Sequence, residues 1–120
     1  MKIYSLCSSS SGNCTYIEEK GDGVLIDAGF GVRNTCRFFK EAGIEENNVR
    51  AIFITHEHTD HICGLKSLSK RWNVPVYGSR ATLEKLLEKD AVGADTKLYE
   101  INLKTAEIGS LAVSAFHTPH

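Results

Sequence analysis

Apolar and polar positions alternate in two regimes along the chain. Up to Asp27, apolar residues come in short runs broken by turn formers. Ile3, Tyr4 and Leu6 predict a first strand, and Cys14 to Glu18 a second of β-branched and aromatic residues. The Lys20-Gly21-Asp22-Gly23 signal predicts a hairpin turn into a third strand, Val24-Leu25-Ile26, ending at Asp27-Ala28-Gly29. The period then lengthens. Val32, Cys36, Phe38, Phe39 and Ala42 recur at helical spacing, and Gly43 is a natural stop. A strand from Val49 to Thr55 follows, then a helix with Ile62, Leu65, Leu68 and Trp72 on one face, closed by Asn73 and Pro75. Val74 to Tyr77 predicts a short strand whose proline favours an edge or a first position. Ser79 should cap a helix with Leu83, Leu86 and Leu87 inward, and Leu98–Leu103 and Leu111–Phe116 should be the last strands. Strands and helices alternating after residue 30 argue for an α/β layered fold in one domain.

Composition narrows the class without naming a chemistry. The 120 residues are 42% hydrophobic and 24% charged, with a formal net charge of −1. That balance advertises neither a nucleic-acid track nor attraction to an anionic membrane. Lys66, Lys70 and Arg71 form one local basic patch, expected to be a solvated helix face. No apolar run approaches the roughly 20 residues that span a bilayer, and Met1–Cys7 is too interrupted for an export signal, so a cytoplasmic location is expected. Cys7, Cys14, Cys36 and Cys63 contain no Cys-x-x-Cys pair and should be reduced, mostly buried thiols.

The chemistry concentrates in Thr55-His56-Glu57-His58-Thr59-Asp60-His61, which holds three of the five histidines. Imidazole and carboxylate are the usual ligands of zinc and its first-row neighbours. The cluster falls between a strand end and a helix start, in the kind of loop where a rigid scaffold presents reactive groups. His56 and His58 can share one ion if the backbone curls. Asp60 and His61 are adjacent, so their side chains diverge toward a second ion. Paired ions about 3.5–4 Å apart are standard hydrolytic machinery. Glu57 is expected to face solvent or to hydrogen-bond. Phe116-His117-Thr118-Pro119-His120 follows another strand end and could bring a further nitrogen to the first ion, from either histidine. Asp27 is either a turn residue or a carboxylate that orients a ligand histidine.

His56-Glu57-His58-Thr59-Asp60-His61 resembles the His-x-His-x-Asp-His signature of the metallo-β-lactamase superfamily, and Asp27 at a strand end looks like that family's first motif. Ser9-Ser10-Ser11-Gly12-Asn13-Cys14 is similar to the opening of the YycJ/WalJ-like branch, itself similar to ribonuclease Z and the phosphonate-pathway phosphodiesterases. The resemblance implies an αββα sandwich of two similar halves. It implies His56, His58 and His120 on a first divalent ion and Asp60 and His61 on a second, the ions being zinc, manganese or iron. The Ser11–Asn13 loop would border the site and meet an anionic group of the substrate. Family members are substantially longer. Their second half supplies a bridging aspartate and a last histidine, so residues 1–120 would be the N-terminal portion of one domain, leaving a sheet face open to self-association.

The expected activity is dinuclear metal-dependent hydrolysis. A hydroxide held between the metals would attack a phosphodiester, perhaps of nucleic acid, with Asp60 also positioning or receiving the water's proton. Acyl or thioester hydrolysis on the same metal pair, or an inert metal-binding half-domain, are the alternatives.

Overall fold

The computed structural model describes residues 1–9, 12–56, 58–101 and 105–114, without the side chains at 8, 9, 12, 59, 60, 105 and 114. Three antiparallel strands open it: β1 (Lys2–Ser9), β2 (Gly12–Glu19) and β3 (Asp22–Ile26). Helix α1 (Val32–Ala42) then carries the chain back so that β4 (Val49–Phe53) lies parallel to β3, as a parallel pair requires. Gly43 closes α1 in a left-handed conformation at φ 72°. Short α2 (Thr59–Ile62) and α3 (Leu65–Trp72) lead to β5 (Val76–Gly78), and α4 (Arg80–Glu88) leads to β6 (Leu98–Glu100). The sheet order is β1-β2-β3-β4-β5-β6. A hairpin of β7 (Thr105–Ile108) and β8 (Leu111–Ser114) forms a separate two-stranded sheet. This is the expected mixed α/β layering.

Strand alternation splits the core between the two faces of the sheet. Tyr16, Leu25, Ile52 and Val76 pack with Phe39, Leu65, Leu68 and Leu86 of the helices. Phe39 lies 4.9 Å from the Tyr16 ring and stacks on Trp72 at 5.5 Å, pinning α1 between the sheet and α3. On the other face, Val24, Ala51 and Phe53 pack with Ile101, Ile108 and Leu111, so the β7–β8 hairpin covers the centre of the face expected to lie open. Ile3 and Tyr99 remain 65% and 44% exposed at its flanks.

Several local expectations change. The helix expected from Ile62 to Trp72 is broken at Cys63-Gly64 into α2 and α3. Strand β5 pairs with both β4 and β6 and is not an edge; Pro75 stands just before it, contributing only its carbonyl, which accepts from Ile52 N at 3.1 Å. Ser79 caps α4 as expected, its hydroxyl accepting from Thr82 N. Leu87 turns outward, 62% exposed, because α4 meets the sheet on a narrow stripe through Leu83 and Leu86. Of the cysteines only Cys14 is buried, and all four are free. Strand β7 went unpredicted, although Gly109-Ser110 beyond it is a hairpin signal, with Gly109 at φ 56°. Residues 102–103 and 115–116 of the two expected final strands lie outside the described residues.

Candidate metal centre

Strands β3 and β4 run parallel and end together, so the residues after each are brought side by side. The turn after β3 is Asp27-Ala28-Gly29, with Asp27 in the left-handed region at φ 63°. That conformation is tolerated best by Gly, Asn and Asp. Three backbone bonds hold the turn: Asp27 N donates to Phe53 O at 2.7 Å, Ala28 N to His61 O at 2.6 Å, and Gly29 N to Asn13 O at 2.8 Å. The histidine loop and the β1–β2 hairpin are thereby tied to one turn. Gly64 completes the anchorage. Its N–H donates to Ala28 O at 2.8 Å, and a β-carbon there would lie 3.0 Å from the Gly31 backbone.

Asp27 is the polar centre of this arrangement, only 5% exposed. Its Oδ1 accepts from Thr55 N at 2.8 Å, and its Oδ2 accepts from Thr55 Oγ1 at 2.6 Å and from His61 Nδ1 at 2.9 Å. Of the two sequence readings, turn residue or orienting carboxylate, the structure shows both in one residue. A carboxylate only accepts, so Nδ1 of His61 carries the proton and Nε2 carries the lone pair. Asn13 Nδ2 lies 3.4 Å from that Nε2. Thr55, which had no assigned role in the sequence, links a second imidazole. Its hydroxyl hydrogen goes to Asp27, so His56 Nδ1 donates to Oγ1 at 3.1 Å. His56 Nε2 then carries the lone pair as well. The available signal for Thr55 was its position between the strand end and the first histidine.

The three imidazoles converge. Ring centres are 5.1 Å apart for His56 and His61, 5.9 Å for His56 and His58, and 6.4 Å for His58 and His61. Two imidazoles on one tetrahedral ion, at ~2.1 Å per nitrogen, would set their ring centres roughly 5 Å apart. The donor chemistry and the carboxylate behind His61 suit a divalent ion, and of the three separations only the 5.1 Å between His56 and His61 matches that spacing. Among the described residues no group of three His, Cys, Asp or Glu side chains is placed so that it could hold a metal ion. Asp60 belongs to α2, in its second position, but its side chain lies outside the described part, as do Ser11, Glu57, His117 and His120. Both neighbouring thiols are held toward the protonated form. Burial, reinforced by Asp27, pushes Cys14 up to about 12. Burial also raises Cys63, whose thiol donates to Gly29 O at 3.0 Å. The basic patch divides: Lys66 pairs with Asp90 and Arg71 with Glu46, while Lys70 is exposed.

Comparison with known proteins agrees with this geometry. The chain is 40% identical over 77 residues to the exodeoxyribonuclease YycJ of Bacillus anthracis, covering 64% of this chain and 29% of that protein. It is 29% identical over 123 residues to the exodeoxyribonuclease WalJ of Streptococcus pneumoniae, covering 99% of this chain and 45% of the relative. Ribonuclease Z of Methanopyrus kandleri is 32% identical over 111 residues, covering 87% and 38%. The chain thus spans less than half the length of these relatives. In fold it is similar to the Rm3 metallo-β-lactamase, with TM-score 0.81 and 20% identity over 98% of this chain and 49% of that one. The sequence model of the metallo-β-lactamase superfamily matches residues 9–120, which takes in Asn13, Asp27 and the whole histidine loop. The chain belongs to the metallo-β-lactamase superfamily.

Proposed function

We propose that this chain is the N-terminal portion of a metal-dependent hydrolase domain that cleaves phosphodiesters, with nucleic acid as the substrate class. One observation carries the reading: Asp27 accepts from His61 Nδ1 at 2.9 Å, which leaves the ring's lone pair on Nε2, in a ring whose centre lies 5.1 Å from that of His56. The nuclease names of its relatives support the choice of a phosphodiester. His56, His58 and His120 would hold one divalent ion, and Asp60 and His61 a second, zinc being the first candidate and manganese or iron the others. When bound, such ions supply a nucleophilic hydroxide at neutral pH and neutralise charge on the substrate oxygens.

The chain's own residues prepare that chemistry. Thr55 and Asp27 fix the donor tautomers of His56 and His61 before any ligand arrives, which lowers the reorganisation needed on binding. Asp60 would also receive a proton from the attacking water. The Ser11–Asn13 segment would meet the anionic oxygens of the substrate. A second half-domain would supply the remaining ligands and dock on the sheet face flanked by Ile3 and Tyr99. Without it, two chains would associate there. A cytoplasmic location is part of this proposal.

Metal analysis together with hydrolysis of bis-p-nitrophenyl phosphate and of a single-stranded oligonucleotide tests the reading. In a protein that carries the second half as well, we expect two ions per molecule and phosphodiester turnover, with His58→Ala lowering turnover by at least about a hundredfold. Thioester hydrolysis without phosphodiester turnover would overturn it, as would a protein that binds no ion and turns over neither substrate.

A further inference from the structure

A cleft that shares no residue with the histidine loop lies between the end of α3, the chain leading into β5 and the loop leading into β6. Its volume is about 540 Å³, within the roughly 300–1,000 Å³ usual for ligand clefts. Lys66 and Lys70 line it from α3 and Lys97 from the opposite loop, against one lining carboxylate, Asp95. Lys66 pairs with Asp90 at 3.1 Å, but both groups are exposed, and such surface pairs are weak. Lys70 and Lys97 are exposed and pair with no carboxylate among the described residues. The carbonyl end of α3 accounts for a cation at Lys70, in its last turn, but not for Lys97 across the cleft. A locally positive cleft thus stands on a chain of net charge −1.

Helix α3 joins this cleft to the candidate metal centre. It begins beside Gly64, whose N–H donates to Ala28 O in the turn that carries Asp27, and it ends at Asn73, in the cleft wall. From Gly64 to Asn73 is roughly 13 Å along the helix, about the rise of four stacked nucleotides. Lys66 and Lys70 stand one turn apart on the same face, so they form a row along that path. We infer that the cleft takes the phosphate backbone of a single nucleic-acid strand that extends from the metal centre along α3, with Lys66, Lys70 and Lys97 pairing with its phosphates. The inference rests on the phosphodiesterase reading and adds the path of the substrate to it. The cleft is too small for a duplex, and the chain carries no broad basic field, so a single strand is the form that fits. An ammonium meets phosphate as a point charge and reads no sequence. The cleft therefore selects for strand length and not for base identity. Tyr99 also borders it, but flanks the face assigned to the second half-domain and has no part in the path.

The test uses the metal-loaded protein, second half included, and a fluorescein-labelled oligothymidylate of about 12 nucleotides, phosphorothioate-linked to resist cleavage. Fluorescence anisotropy should show Lys70→Gln/Lys97→Gln binding this strand roughly tenfold more weakly than the parent. Over a salt series, the slope of log affinity against log salt should become shallower by about 1.4, the share of two phosphate contacts on a single strand. Lys70→Arg/Lys97→Arg should restore both. Lys40→Gln/Lys85→Gln, which removes the same charge from α1 and α4, should match the parent. Unchanged affinity and slope in Lys70→Gln/Lys97→Gln, or an equal loss in the α1 and α4 pair, would overturn the inference. So would displacement of the strand by inorganic phosphate at equal phosphate concentration. Turnover of unmodified oligothymidylates separates this inference from the reading it rests on. KM should fall as the strand lengthens to about five nucleotides and then level, and Lys70→Gln/Lys97→Gln should abolish that gain. A protein that hydrolyses no phosphodiester, yet shows the expected binding losses, would instead remove the phosphodiesterase reading while upholding the cleft as the place of the strand.

Discussion

Asp27 shows how much one residue can combine and how little of that a sequence displays. Its left-handed backbone turns the chain off β3, and its carboxylate binds Thr55 twice and His61 once. The strand end was legible from Val24-Leu25-Ile26. The partners were not, because Thr55 and His61 lie 28 and 34 positions away. Asp27→Asn keeps a residue suited to positive φ but turns an N–H toward groups that already donate. We expect a loss of about 3 kcal/mol in thermal or denaturant unfolding and a fall in metal affinity of about 10- to 100-fold. Thr55→Val is the narrower probe. It keeps the shape and the backbone bond but deletes the hydroxyl between Asp27 and His56. We expect about 1–2 kcal/mol of destabilisation, with Thr55→Ser close to the parent in both unfolding and zinc titration.

Elements were most legible where the hydrophobic period was long and a stop signal strong. Helix α1 ends at Ala42 ahead of Gly43, and α3 ends at Trp72 ahead of Asn73, at φ 51°. Periodicity misled where tertiary contacts chose among equivalent apolar positions. Leu87 satisfies the helical spacing, yet α4 packs on too narrow a strip to bury it. The break between α2 and α3 has a steric cause that periodicity cannot express. At Gly64 the chain passes against the backbone of Gly31 and Ala28, where a β-carbon would sit 3.0–3.1 Å from their atoms. Gly64→Ala calls for a shift of a few tenths of an ångström between α3 and the turn that carries Asp27, because the contacts are with backbone atoms. We expect a loss of about 1–3 kcal/mol in unfolding experiments, together with weakened zinc binding, although residue 64 is not itself a ligand.

At the scale of the molecule, the sheet is a partition between two apolar layers, and the β7–β8 hairpin closes the second of them. Its tip is held by charge as well as by packing. Asp22, at the β2–β3 turn, accepts from Ser110 N at 3.0 Å and pairs with Arg50 at 3.1 Å. These contacts, the Ser110 backbone bond first, lower the Asp22 carboxyl below its ordinary 3.8. A group lowered on folding stabilises the fold above its unfolded value, and that stabilisation is lost as pH falls through the folded value. The melting temperature of the parent should therefore exceed that of Asp22→Asn above about pH 4, and the gap should close in stronger acid. The Ser110 amide proton shift should follow the same titration. The fold class and the place of the histidine loop between a strand and a helix could be foreseen because they rest on local pattern; the hairpin's docking could not, because it depends on a contact across 88 residues. The tie of Gly29 to Asn13 and of Gly64 to Ala28 has a consequence along the chain. Asn13, Asp27, Thr55, His56 and His61 all lie within the first 64 residues. Among the described residues, the polar lattice of the site therefore draws on none after Gly64, and β5 to β8 bear on it through packing alone.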